Sequence, residues 1–139
     1  MENVGSFIGN HWLLVTLFVV LATLILSDAL TRKISGVNPV GTAEAIQIVN
    51  QRNGLFLDIR DSAEFKKEYI AESMNLPLSS LETNIAKLKD TTQPIILICA
   101  SGQRSSTAAK QLRSSGFSDI SVLSGGLNAW KDAKLPLFS

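Results

Sequence analysis

The sequence predicts an α/β domain: a mostly parallel central sheet flanked by helices, preceded by one transmembrane helix. Three observations carry this. Short apolar runs at 55–59, 94–98 and 120–123 are separated by stretches with helical spacing, the alternation that builds parallel sheets. The run from Pro94 through Ile98 is continuously apolar, as in a strand buried on both faces. From Asn3 to Ser27 there is no Lys, Arg, Asp or Glu.

Length and charge narrow the possibilities. A chain of 139 residues suffices for one domain with a real core. Thirteen basic and twelve acidic residues leave a net charge of +1, so no nucleic-acid partner is implied. A mean hydropathy of +0.21 is high for a soluble domain, and the excess lies at the front. The expected organisation is a short tail at 1–11, a transmembrane helix at 12–30, a linker at 31–36 and an α/β domain at 37–139. No internal repeat or low-complexity tract is present.

Residues 12–30 are long enough to span a hydrocarbon core of about 30 Å as a helix. Trp12 would sit at one interface as an aromatic anchor and Asp28 near the other. A cleaved signal peptide would need basic residues before the apolar run, and none exist, although Ser27-Asp28-Ala29 resembles a small-x-small cleavage site. A buried core helix would need a partner surface on a domain whose sheet its own helices already cover. Arg32 and Lys33 follow the span, so the positive-inside rule places the N-terminus outside and the domain in the cytoplasm, as in a bacterial inner membrane. A single cysteine agrees with a reducing compartment.

The elements follow in order. Thr42 is the expected N-cap of a helix that turns Ala45, Ile46 and Val49 inward. Asn53-Gly54 turns the chain into the strand at 55–59. Asp61 and Glu64 have capping-box spacing for a short helix. Phe65 and Tyr69, at i and i+4, are expected in the core. Ser79 or Ser80 would cap a helix carrying Leu81, Ile85 and Leu88. The strand from Pro94 comes next, then a polar loop and a helix from Ser105 that ends near Gly116, a candidate C′ residue. The strand at 120–123 is followed by Gly125-Gly126, which would let the backbone pass close to the loop. Trp130 and Leu127 are expected in the core.

The chemistry concentrates at the loop from Cys99 to Arg104. The only cysteine sits at a strand end, and the only histidine, His11, is far away in the N-terminal segment. That argues against a Cys-His nucleophile and against most metal sites, and no metal or cofactor is implied. A thiol reacts as the thiolate, which needs positive potential nearby. The N-terminus of the following helix, a nest of N–H groups around Gly102 and the charge of Arg104 could supply it. By itself, a lone cysteine at such a place is more often a small buried hydrophobe.

The motif Cys99-x-x-Gly102-x-Arg104 resembles the active loop of the rhodanese family. Three further segments resemble that family in its own order: Asp58-x-Arg60-x-x-x-Glu64-Phe65, Ile70 with Asn75-Leu76-Pro77, and Gly125-Gly126-x-x-x-Trp130. The likeness covers about residues 37 to 137. The family's Gly-His is Glu68-Tyr69 here and its Gly-Ala is Glu72-Ser73, departures that touch local turns. Ala100-Ser101 stands where many thiosulfate-using relatives carry a basic residue.

The resemblance implies a sulfurtransferase with Cys99 as nucleophile. Cys99 would take sulfane sulfur from a donor, hold it as a persulfide and pass it to a thiol or cyanide-like acceptor. Backbone N–H groups of Ala100, Ser101, Gly102, Gln103, Arg104 and Ser105 would bind the anionic sulfur, and Arg104 would orient the loop or the donor. Asp58 and Arg60 would form a supporting ion pair bracing neighbouring loops, in preference to touching substrate. A phosphatase or arsenate reductase on a related fold would place five residues between cysteine and arginine; here there are four, too tight a cradle for a phosphoryl group. The alternative of another class is a membrane-tethered adaptor that binds a membrane protein, with the cysteine incidental.

Overall fold

A computed structural model describes residues 2–35 and 37–139. The chain divides into two compact units, Met1–Gly36 and Val37–Ser139.

The first unit holds α1 (Glu2–Asn10) and α2 (Trp12–Ser35), separated at His11. Within α2, the stretch Trp12–Leu30 has a mean hydropathy of 2.5, long and apolar enough to cross a membrane or to serve as a signal sequence. Its two threonines spend their hydroxyls inside the helix: Thr16 Oγ1 donates to Leu13 O at 3.0 Å and Thr23 Oγ1 to Val20 O at 2.8 Å. No polar side-chain group of these two is left to find a partner in an apolar solvent. Two expectations change here. The tail is helical over Glu2–Asn10, and helix continues through Ser35, so the expected linker is helix except at residue 36, which lies outside the described residues.

The second unit is a five-stranded parallel sheet among the described residues, in the order β1-β5-β4-β2-β3. Its strands are β1 (Asn38–Val40), β2 (Leu55–Asp58), β3 (Met74–Asn75), β4 (Ile95–Ile98) and β5 (Ile120–Leu123). The helical elements are α3 (Thr42–Arg52), α4 (Ser62–Lys67), α5 (Leu81–Asn84), α6 (Ser105–Ser114) and α7 (Gly126–Asp132). Central β4 is buried at all four positions, as its unbroken apolar sequence requires. Alternate β4 residues feed two cores. Ile95 and Leu97 pack with Leu57, Ala108, Ala109 and Leu112, while Ile96 and Ile98 pack with Phe56, Leu123, Leu127 and Trp130.

The edge strands β1 and β3 escape the sequence pattern because two or three residues are too few to show a period. Pro39 is tolerated in β1 because an edge strand can spare an N–H. Gly41 takes the N-cap position of α3, one residue before Thr42. The helix expected from Ser79 or Ser80 through Leu88 is broken into 3-10 turns at Leu78–Ser80 and Ile85–Lys87 around the single turn of α5, with Ser80 at the cap position but making no capping bond. The end of α6 is closed by Gly116 at φ +95°, with Phe117 N–H donating back to Leu112 O at 3.1 Å.

Candidate active site

All strands run the same way, so their C-terminal ends meet at one edge of the sheet, where α/β folds gather reactive groups. Cys99 follows β4 at that edge and is buried. Its Sγ accepts a hydrogen bond from the Gly102 N–H at 2.8 Å. Gly102 reaches this pose at φ +95°, a conformation that a side chain disfavours. The chain then enters α6 at Ser105, with Arg104 at the N-cap position in helical conformation. The backbone N–H groups of Ala100, Ser101, Gln103, Arg104 and Ser105 have no acceptor among the described residues. The Ser105 hydroxyl is also buried without a partner. A cysteine sulfur thus lies among unspent donors at a helix start, a setting that favours an anion.

The Gly125-Gly126 turn holds the loop from the other side. Leu127 N–H donates to Cys99 O at 2.8 Å and Asn128 N–H to Ala100 O at 3.2 Å. Both glycines have positive φ, and a Cβ on Gly126 would stand 2.3 Å from Cys99 O. Only glycine lets the two backbones come this close.

Two arginine–carboxylate pairs complete the surroundings. Arg60 donates through Nε to Asp58 Oδ1 at 3.0 Å and through Nη2 to Oδ2 at 2.7 Å, with both residues buried. Nη2 also reaches Glu68 O at 2.7 Å, and Asn75 Nδ2 donates to Asp58 O and Arg60 O at 3.0 and 2.9 Å. This network ties the end of β2 to the segments at 68 and 75. At the rim, Arg104 Nη1 and Nη2 donate to the Glu64 carboxylate at 3.2 and 3.3 Å. The guanidinium holds the Glu64 carboxyl below its ordinary value, and the carboxylate in turn raises Arg104. Arg104 is therefore tied to α4, and its charge is shared with Glu64.

The structure brings Cys99, Ala100, Ser101, Gly102, Gln103, Arg104 and Ser105 together in one loop and sets Asp58 and Arg60 beside it. Sequence reasoning placed Glu64 in a helix cap and in the Asp58-x-Arg60-x-x-x-Glu64-Phe65 segment, and gave it no partner in the Cys99 loop. The Asp61 N–H does donate to Glu64 Oε2 at 3.1 Å, but the same carboxylate also binds Arg104, forty residues away, and nothing in the sequence signals that pairing. Phe65 and Tyr69 are half-buried and stacked at 4.8 Å, with Tyr69 N–H bonded to Phe138 O, so they form a surface aromatic pair instead of core. Among the described residues, no cluster of His, Cys, Asp or Glu could hold a metal ion.

Known proteins resemble this arrangement along the whole domain. Residues 42–133 match the model of the rhodanese-like domain. The uncharacterized protein YibN of Escherichia coli (strain K12) is 29% identical over 141 residues, covering 99% of this chain and 97% of that protein. The thiosulfate sulfurtransferase GlpE of Pseudomonas savastanoi pv. phaseolicola (strain 1448A / Race 6) is 32% identical over 88 residues, covering 63% of this chain and 82% of GlpE. Among solved structures, the rhodanese-like domain of the Anabaena sp. Alr3790 protein, determined by solution NMR, superposes with a TM-score of 0.65 at 26% identity, covering 73% of this chain and 78% of that one.

Proposed function

The chain belongs to the rhodanese-like domain family, and from that premise we propose that it is a membrane-anchored sulfurtransferase carrying sulfane sulfur as a Cys99 persulfide. The observation that carries the reading is the Gly102 N–H bonded to Cys99 Sγ, in a loop whose other backbone N–H groups have no acceptor among the described residues. Such donors stabilise negative charge on sulfur without any reorganisation at the moment of reaction.

The chemistry runs in two displacements. Cys99 thiolate attacks the outer sulfur of the donor. The bond between that sulfur and the rest of the donor breaks, and the leaving group departs with the electron pair. The persulfide anion rests on the loop N–H groups, with the Ser105 hydroxyl as a further unspent donor nearby in the chain. A thiol or cyanide-like nucleophile then attacks the outer sulfur, and Cys99 recovers its electron pair. Ping-pong kinetics follow from the covalent intermediate. Because Arg104 is already paired with Glu64, the loop offers no unpaired cation for a sulfonate, which favours persulfide or polysulfide donors over thiosulfate.

The apolar helix supports a single-pass anchor, with the N-terminus outside and the domain on the cytoplasmic side of a bacterial inner membrane, the side of Arg32 and Lys33. That same helix favours a second reading, an adaptor that meets a membrane protein, because a freely diffusing sulfur carrier needs no tether.

Intact mass of the purified full chain in detergent tests the first reading. After incubation with polysulfide, a persulfide donor or thiosulfate, the chain should gain one sulfur atom that cyanide removes, and Cys99→Ala should gain none. No gain with any donor overturns the sulfur-carrier reading and leaves the adaptor. A cellular phenotype that survives Cys99→Ala would assign that phenotype to the adaptor role.

A further inference from the structure

The two helices of the first unit are built for different surroundings. Trp12–Leu30 within α2 is apolar on every side and unburied, the pattern of a helix that belongs inside hydrocarbon. In α1 the apolar residues keep to one side. Val4, Phe7 and Ile8 recur at i, i+3 and i+4, so they share a face, and all three are exposed. Asn3, Ser6 and Asn10, at i, i+3 and i+7, take the other face. His11 N–H donates to Phe7 O and His11 O accepts from Val15 N–H, both at 3.0 Å. The helical path therefore carries the apolar face on to Trp12, which is also exposed.

Among the described residues nothing covers this face. Within Val37–Ser139 only Met74 and Phe138 leave a large apolar side chain exposed, whereas α1 exposes three in nine residues. An open apolar patch of this kind marks a surface that something covers. Length excludes the hydrocarbon core as the place for α1. The 19 residues of Trp12–Leu30 rise about 28 Å as a helix and fill a core of about 30 Å by themselves. That leaves α1 where the span meets water, and a one-sided helix is what such a boundary accepts. It contains no Lys or Arg, so apolar insertion, and not attraction to anionic headgroups, is the force available to it.

We infer that α1 is an interfacial helix lying along the bilayer surface, with Val4, Phe7, Ile8 and Trp12 inserted between headgroups and acyl chains and Asn3, Ser6 and Asn10 facing water. The inference rests on the membrane-anchor reading and adds a second lipid contact to it, continuous with the span. His11, which belongs to neither helix, is where the chain turns from the surface into the bilayer. The Phe7 ring, 4.7 Å from the His11 imidazole, packs at that turn. The arrangement has a mechanical consequence. A lone apolar span can rotate about its own axis and shift in depth, whereas a helix laid flat at one end fixes both.

Nitroxide depth measurements on the full chain in phosphatidylcholine vesicles test this. Cys99→Ala removes the only native cysteine, so that Ser6→Cys, Ile8→Cys or Val20→Cys each supplies one labelling site. Collision with oxygen, which concentrates in lipid, is compared with collision with a water-soluble nickel chelate. The label at Ile8→Cys should read about 5–10 Å inside the headgroup boundary, the label at Ser6→Cys in water, and the label at Val20→Cys deepest of the three. Adding Phe7→Asp should move the Ile8→Cys label into water and leave the Val20→Cys label where it was. With Val20→Cys deep, finding Ile8→Cys and Ser6→Cys both in water would mean that α1 projects from the surface. Finding both in lipid would mean that α1 continues the span. Either result overturns the inference and keeps the anchor. A Val20→Cys label in water overturns the anchor, and the inference with it. Insertion of Ile8→Cys that appears only when phosphatidylglycerol is added would overturn the apolar basis argued for α1.

Discussion

Arg60 and Arg104 each hold a carboxylate beside the Cys99 loop, yet the first pair is closed off from water and the second lies open to it. Arg60 and Asp58 have side chains 4% and 0% exposed, whereas Arg104 and Glu64 are 37% and 40% exposed. Solvent decides what each pair is worth. Behind the loop, neither charge retains its hydration, so each depends on the other and on the surrounding hydrogen bonds. At the rim, water and salt compete for both partners, and the pair contributes little to stability. The two pairs also act on different things. The inner one joins the end of β2 to the segments at 68 and 75, and the outer one joins the Cys99 loop itself to α4.

The sharpest way to break this contrast is to remove one inner partner. Arg60→Met should cost about 3–5 kcal/mol, because it strands the Asp58 carboxylate in the interior. Urea unfolding of the full chain in detergent, followed by near-UV circular dichroism, would measure it. A loss no larger than that of a rim variant would show that water reaches Asp58 after all.

Gly126→Ala tests the same rear layer through the backbone. The added Cβ would meet Cys99 O, and the residue would keep a left-handed pose at φ +58°. Overpacking of this kind costs about 1–3 kcal/mol and the left-handed conformation about 1 more. The expected signature is a stability loss together with slower persulfide formation, read by the mass assay. Normal loading rates in a destabilised variant would show that the loop geometry does not depend on this close approach.

Glu64→Gln should be the mildest change, at most about 1 kcal/mol in stability. Its pH dependence has a definite sign. The folded Glu64 carboxyl lies below its ordinary value of 4.5, so the unfolded chain binds the extra proton first as pH falls. The small contribution of Glu64 is therefore complete above about pH 4.5 and is lost as pH drops through the depressed folded value. Wild type and Glu64→Gln should converge in stability across that window and differ above it. Raised salt should shrink the difference, and salt-independence would mean that the rim pair is more shielded than its exposure indicates.

The mixture of legible and hidden features follows the range over which each is encoded. Strand β4, the helix start at Ser105, the Gly116 closure of α6 and the apolar N-terminal helix were readable because burial and helix ends leave marks within a few neighbouring residues. Cys99 with its loop was readable for the same reason, being one continuous segment running from strand to helix. Strands β1 and β3 were not, because at three and two residues they exist only by pairing with β5 and β2. The broken helical segment at 78–87 was misread because its spacing suits a helix, yet the chain there takes up 3-10 turns around one short α-turn.

The sequence by itself determined the α/β class, the order of its main elements and the place of the lone cysteine at a strand end, because apolar periodicity, turn residues and the loop motif are local properties of the chain. Tertiary structure alone decided that Arg104 is bound to Glu64, that Gly126 abuts the Cys99 carbonyl, that Arg60 is held between Asp58 and the Glu68 carbonyl, and that Lys67 and Asn128 share a cleft beside Ala100. These residues are far apart along the chain. They become neighbours only because parallel strands deliver all their following loops to one edge, and what each charge does there depends on the solvent that folding leaves around it.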